Sequence, residues 1–378
     1  MGMRPTIRKV STPSPAGDLA PAARQRGFSL VELMVGILVS IIGTIAIMAA
    51  FANFEGHKRS TTSGDDAQQS GSFALYKLER DVRSAGSGIT QGKNYGIWGC
   101  SIPSLPSSAL PAPFSAVSLP AVAQAMPVLI ASGGSGSDVI SVMSGNPAMQ
   151  VFKVGVTSAP TATALVVGNS FGLLANDYLL GTLTSGNCEL GQVSSISGTS
   201  ITLTPANTQV TGLANAVNVF DLGPEPIISL YGVDTTSNSL LEFDQLQRAV
   251  NGGATSLPIA NGIVMMKALY GVASGTGIVW VEPTGTWSVS TLTASMTAAN
   301  TAVGQIKAIR IVVVAESLLP ERNTDYSGSN TLTLFPDLPL TATAPAAKRF
   351  SMTTSPKFRY KVYDTTIPVR NALINQYF

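Results

Sequence analysis

Histidine is almost missing from this chain: His57 is the only one among 378 residues. A zinc site built from several imidazoles is thereby excluded, and a Ser-His-Asp triad would have a single imidazole to draw on. Cysteine is nearly as scarce. Cys100 and Cys188 are the only two, which rules out a four-cysteine metal cage and a cysteine-ligated iron–sulfur cluster. Charge is thin as well: 12% of residues are Asp, Glu, Lys or Arg, against roughly 25% in ordinary soluble domains. The formal net charge of +2 is too small and too dispersed for a nucleic-acid footprint, so no nucleic-acid partner is expected. No phosphate-cradling glycine loop, no His/Glu zinc motif and no Gly-X-Ser-X-Gly elbow is read from the sequence. These gaps point away from an enzyme, and from a resident cofactor or metal, toward a structural or binding protein outside the cytoplasm. What is plentiful is apolar residues, 45% of the chain, with 36 glycines and 23 prolines among them and between them. That is enough to fill a core and to break it into many short elements.

The informative end is the N-terminus. Residues 1–27 are polar and basic, with Arg4, Arg8, Lys9, Arg24 and Arg26 against Asp18. From Leu33 to Ala52 no residue is charged, and only Ser40 and Thr44 carry a hydroxyl. A helix of about 20 residues spans roughly 30 Å, the thickness of a bilayer core. The basic flank precedes it, so the positive-inside rule leaves the N-terminus in the cytoplasm and sends the bulk of the chain across the membrane. Glu32 sits at the edge of this apolar run. A carboxylate at a membrane helix centre costs on the order of 2.5–3.5 kcal/mol, and less near the end, which makes Glu32 a functional candidate in want of a partner. Three plainer readings stand beside this one. The segment is a secretory signal, with Ala50-Phe51-Ala52 as a small-residue cut site; it is a simple anchor; or Glu32 merely snorkels to the interface. An apolar run of this length exceeds the 7–15 residues usual in secretory signals.

The string Arg26-Gly27-Phe28-Ser29-Leu30-Val31-Glu32-Leu33-Met34-Val35 resembles the class III signal of type IV prepilins and type II secretion pseudopilins. That resemblance implies cleavage by a prepilin peptidase between Gly27 and Phe28, and N-methylation of Phe28. It also implies a role for Glu32 in assembly, where its carboxylate neutralises the new Phe28 ammonium of a neighbouring subunit. Glycine before the cut offers close backbone access, and an unpaired charge in so apolar a setting would be costly.

Beyond the membrane segment, residues 55–66 are polar, and Gly56 and Gly64 offer a place to interrupt or bend the helix; His57 reads as a solvated residue. Ala67–Ala85 reads as an amphipathic helix with Ala74, Leu78 and Val82 on one face, widened by Leu75 and Ala85. Glu79 and Arg83 make an outer i, i+4 pair, and Gly86 is the stop. Residues 102–137, with six prolines and then Gly133-Gly134-Ser135-Gly136, read as an exposed insertion or linker. From Asp138 onward the chain reads as β. The expected strands are 139–142, 150–156, 164–167, 227–233, 240–243, 306–315 and 358–363, with a hairpin over 192–204 turning at Gly198-Thr199. Ile259–Tyr270 is ambiguous and open to a short helix. Ile306–Ala315 begins alternating and becomes all-apolar, as a central strand with one face covered would. Asp221, Glu225, Asp234 and Asp244 read as solvated surface charge, with a calcium or acid/base role the lesser alternative. Cys100 and Cys188 fall on the side assigned to an oxidising compartment, so a disulfide is expected; a loop of that size would be worth roughly 4 kcal/mol or more. Free thiols, or a bond to another chain, are the alternative.

The segment Ser70–Gly86, the stretch Pro258–Val272, the strand carrying Arg310, and above all Phe358-Arg359-Tyr360-Lys361-Val362-Tyr363-Asp364-Thr365-Thr366-Ile367-Pro368-Val369-Arg370-Asn371 resemble the PilW family of type IV pilus minor pilins. The resemblance implies an α+β, pilin-like fold. A leader (1–27) would be followed by a transmembrane and assembly helix (28–54), a periplasmic half-helix (55–86) and a β-rich head (87–378). It further implies a prepilin in the inner membrane with its head in the periplasm, moving to the cell surface on assembly. Its partners would be prepilin peptidase, other minor pilins and the major pilin, in priming of assembly at the fibre tip, with links to adhesion and twitching motility. A type II secretion minor pseudopilin of the J type shares the same N-terminus and a related fold. A membrane-anchored periplasmic enzyme or binding protein is the reading from another class.

Overall fold

The computed structural model describes residues 27–90, 97–107, 110–149, 153–205, 210–247, 256–321 and 327–371. The chain divides into two compact units at Glu55/Gly56.

One helix runs from Leu30 to Ser84. Gly56 and Gly64 do not interrupt it, contrary to the expectation from composition. Each glycine costs about 1 kcal/mol relative to alanine but keeps its N–H in the ladder, whereas proline, absent here, would remove one. The helix ends as expected. Gly86 takes φ +81°, its N–H donates to the Met143 carbonyl at 2.8 Å, and Asn371 Nδ2 donates to the last carbonyls, of Ser84 and Ala85, both at 3.1 Å.

The head is built of antiparallel sheets, giving the α+β arrangement expected. A five-stranded sheet runs in the order Leu257–Asn261, Ser239–Asp244, Ile227–Asp234, Val139–Ser144, Val128–Ala131. A four-stranded sheet runs Gly277–Val281, Ile263–Ser274, Ile306–Glu316, Tyr360–Pro368. These two enclose the main core together with the helix stripe Ala74, Leu78, Val82 and Ala85, all completely buried. A six-stranded sheet, including Tyr178–Thr182, Cys188–Ser197, Ser200–Leu203 and Asn218–Gly223, holds a second, smaller core.

Several expectations are corrected. Ile259–Tyr270 is strand throughout apart from the left-handed Gly262; Ile263, Met266, Ala268 and Tyr270 feed the main core while Met265 and Leu269 feed the opposite face. Residues 102–137 are no exposed linker. Ser101–Pro106 pairs with Val122–Gln124, Val128–Ala131 is buried along its whole length, and Ile102, Leu105 and Phe114 are core. Pro106 closes the first of these strands and Pro127 stands just before Val128–Ala131, strand-end positions that proline tolerates. Ile306–Glu316 is covered on both faces. Ile309, Ile311 and Val313 face the main core, and Val312 and Val314 meet Leu334, Phe335 and Met352 of the hairpin Thr331–Leu334/Phe350–Thr353. The strand expected over 150–156 lies partly outside the described residues; Val154–Gly155 is strand. The strands at 178–182 and 218–223 and the helix Met296–Gln305 were not anticipated.

Candidate functional site

Ser29 begins the long helix. Its carbonyl accepts from Leu33 N–H at 3.1 Å, and its hydroxyl accepts from Glu32 N–H at 3.2 Å. Ser29-Leu30-Val31-Glu32 thus has the Ser-X-X-Glu spacing of a helix start, in which the observed bond uses the main-chain N–H of Glu32. Phe28 and Glu32 line one strip with Gly36, Ile37, Ser40, Ile41 and Thr44. The two hydroxyls are satisfied within the helix, Ser40 donating to Gly36 O and Thr44 to Ser40 O, each at 2.8 Å. Apolar side chains here are bare: Phe28 is 81% exposed, and Leu38, Ile42, Ile45, Phe51 and Phe54 are all exposed. This stretch of the helix is long and apolar enough to cross a membrane, and none of it is buried. So large an apolar surface must be covered by lipid or by other helices. Among the described residues Glu32 makes no ion pair, and the space around Gly27 is open.

The second half of the helix is gripped by the head. The Tyr363 ring fills the space where a side chain on Gly71 would stand, and its hydroxyl donates to the Gln68 carbonyl at 2.9 Å. Nearly three turns on, the buried Asp81 meets Lys77 at 2.9 Å, Arg80 Nε at 2.9 Å and the Tyr231 hydroxyl at 2.5 Å. The same hydroxyl lies 2.7 Å from Glu242, which Lys77 also reaches at 3.1 Å. Burial, then the neighbouring carboxylates of Asp81 and Glu242, hold Tyr231 neutral, far above its ordinary pKa. The hydrogen bond from Arg80 to Asp81 raises the Arg80 pKa further. The expected Glu79–Arg83 pair is present on the outer face.

Cys100 and Cys188 are bonded, with Cα atoms 5.7 Å apart and both side chains buried. The bond ties the segment before Ser101–Pro106 to the six-stranded sheet. Arg310, on the central strand, pairs with Asp337 and Asp364 at 2.7 and 2.6 Å and packs against the Phe335 and Trp280 rings. Those hydrogen bonds lower the Asp337 pKa.

Of the carboxylates read as solvated, Glu225 is exposed, and Asp234 is held low by Ser237 and Thr236 in a surface turn. Asp221 is not on the surface: 1% of it is exposed, and burial, with the nearby charge of Asp177, pushes its pKa to about 7. It falls on a strand that the sequence pattern did not reveal. Asp244 is half-buried, and burial raises it. Gly168-Asn169-Ser170-Phe171-Gly172 has Gly-X-Ser-X-Gly spacing, which was missed at the level of sequence. No strand-to-helix elbow forms there; Ser170 lies in a loop and its hydroxyl donates to the Gly198 carbonyl at 2.6 Å. Among the described residues no three potential metal-ligating side chains gather.

Residues 230–371 match the family model of type IV pilus-assembly protein W, and residues 22–48 match the prokaryotic N-terminal methylation motif. No match was found among curated proteins or among solved structures. The first range carries Tyr231, Glu242, Tyr363 and Asn371, the head residues that hold the helix. The second brackets Gly27, Phe28 and Glu32.

Proposed function

We propose that this chain, a prepilin-type member of the type IV pilus-assembly protein W family, acts as a minor pilin that primes fibre assembly and takes its place at the fibre tip. A part in pilus assembly, and anchoring by the apolar N-terminal helix, follow from the family and the motif; the finer steps are our reading. Prepilin peptidase cuts after Gly27 on the cytoplasmic side and methylates Phe28. The chain waits in the inner membrane, its head in the periplasm. The Phe28 ammonium is then met by Glu32 of an adjoining subunit, another minor pilin or the major pilin, and the bare apolar helices close on one another. Register is set by this charge pairing, because a misplaced helix leaves two unpaired charges in a low dielectric. Cohesion comes from apolar packing. No bond chemistry is asked of the head.

The observation that carries this reading is the exposed Phe28 and Glu32 on one strip at the foot of an uncovered apolar helix. N-terminal analysis of the native protein tests it. An N-methylated Phe28 is expected; a retained leader, or a start after Ala52, overturns it. The helix start and the charge at Glu32 separate by substitution. Glu32→Gln preserves the Ser-X-X-Glu/Gln helix start and removes the charge. Both Glu32→Gln and Glu32→Ala should insert in the membrane yet fail to enter fibres, and normal fibre entry by the Gln variant would reject the charge pairing.

A further inference from the structure

Two buried carboxylates, Asp177 and Asp221, lie at one end of neighbouring strands of the six-stranded sheet, and among the described residues neither has a counter-charge. Asp221 sits on Asn218–Gly223 opposite Leu179 of the neighbouring strand, and Asp177 is two residues before Leu179. A side chain two residues from Leu179 takes the face of Leu179; Asp177 lies just before the strand Tyr178–Thr182, and the register shifts between Asp221 and Gly223, so the pair sits at a bulged end of the two strands. Val219 and Leu179, which flank the pair on that face, both belong to the smaller core. Asp177 is 0% exposed and Asp221 1%.

Each carboxylate is half used. Asp177 Oδ2 accepts from Leu174 N–H at 2.7 Å and Asp221 Oδ1 from Gly223 N–H at 2.8 Å. The other oxygen of each, Asp177 Oδ1 and Asp221 Oδ2, is buried with no hydrogen-bond partner among the described residues. Among the described residues no Lys or Arg forms an ion pair with either. Buried, unpaired carboxylates are among the costliest arrangements a core can hold. The raised pKa of both groups expresses the same deficit. Oxygen-only donors of full negative charge suit a hard cation. Calcium accepts irregular geometry and 6–8 oxygens, whereas magnesium demands a near-ideal octahedron and keeps its water.

We propose that Asp177 and Asp221 form a calcium site that locks the six-stranded sheet, with main-chain carbonyls and water completing the shell. With two carboxylates it belongs to the weak class of extracellular calcium modules, with Kd about 10⁻⁴–10⁻³ M. It lies outside both family-matched ranges and stands or falls independently of the pilus reading.

The test uses the full chain purified in detergent, stripped with a chelator and melted at about pH 8 with and without about 10 mM calcium chloride. Calcium should raise the melting temperature by roughly 2 °C or more, magnesium should do markedly less, and Asp221→Asn and Asp177→Asn should each abolish the rise. A melting temperature indifferent to calcium overturns the proposal, as does an undiminished rise in both variants. A melting temperature that ignores calcium but climbs as the pH falls from about 8 to 6 also overturns it, because the pair then holds a proton in place of a metal.

Discussion

Two stretches of one helix differ as sharply as any two regions of this molecule. Residues 28–54 bury nothing, and their apolar side chains point all round. Residues 67–85 bury a narrow stripe of small and medium side chains, Ala67, Ala74, Leu78, Val82 and Ala85, and expose Phe73, Tyr76 and the Glu79–Arg83 pair. Backbone geometry is the same in both, so the difference lies in what each is built to meet. A helix apolar on every side asks for lipid or other helices; a helix with one stripe asks for one sheet. Polar chemistry is divided in the same way. Glu32 is left without an ion-pair partner among the described residues, while the acid near the other end, Asp81, is gripped by Lys77, Arg80 and Tyr231. The chain spends its complementarity on fixing the second half and leaves the first half open.

That contrast can be broken by mutation. Leu78→Ala removes a fully buried side chain and should cost about 2–5 kcal/mol of head stability. Leu38→Ala, in the exposed stretch, should change denaturation of the head in detergent by less than about 0.5 kcal/mol. Equal effects would mean that the two stretches are not distinct. Tyr231→Phe should cost roughly 1.5–3 kcal/mol, the range for hydrogen bonds to charged groups, because it strips a shared hydroxyl from two carboxylates; denaturant melts measure it. The smallest effect concerns a contact remote from the helix. Asp337 is lowered by Arg310, so its contribution is present above the ordinary carboxylate range and is lost as pH falls through the lowered pKa. Melting temperature should therefore drop less on acidification in Asp337→Asn than in the unaltered protein.

Much of the candidate site was legible because its signals are local. Gly27-Phe28 and Glu32 declare themselves by neighbouring residues, and the stripe Ala74, Leu78, Val82 by periodicity alone. The C-terminal strand, the hairpin about Gly198 and the central strand at 306–316 were legible for the same reason. Short strands hidden between prolines were not. Val128–Ala131 follows Pro127 and precedes a glycine run, and composition alone marks that region as linker although its side chains are core. Nor does the sequence show that Asp221 points inward. Its strand, Asn218–Gly223, holds it among Val219, Phe220 and Leu222, and which face a residue takes is set by strand pairing, not by its own identity.

By itself the sequence determined the membrane-length apolar helix, the peptidase-like junction before Phe28 and the acid that follows it, because a helix in lipid must satisfy its backbone within consecutive residues. Only the tertiary structure decided which side chains seat the second half of that helix. It placed Tyr363 over Gly71 and Tyr231 between Asp81 and Glu242, and it buried Asp177 and Asp221, each with one oxygen lacking a hydrogen-bond partner among the described residues. Tyr363 and Tyr231 reach helix residues more than a hundred positions away, Tyr231 meets Glu242 on the neighbouring strand, and Asp177 and Asp221 come from different parts of one sheet. Their register is a property of the folded sheets, and no short window of sequence contains it.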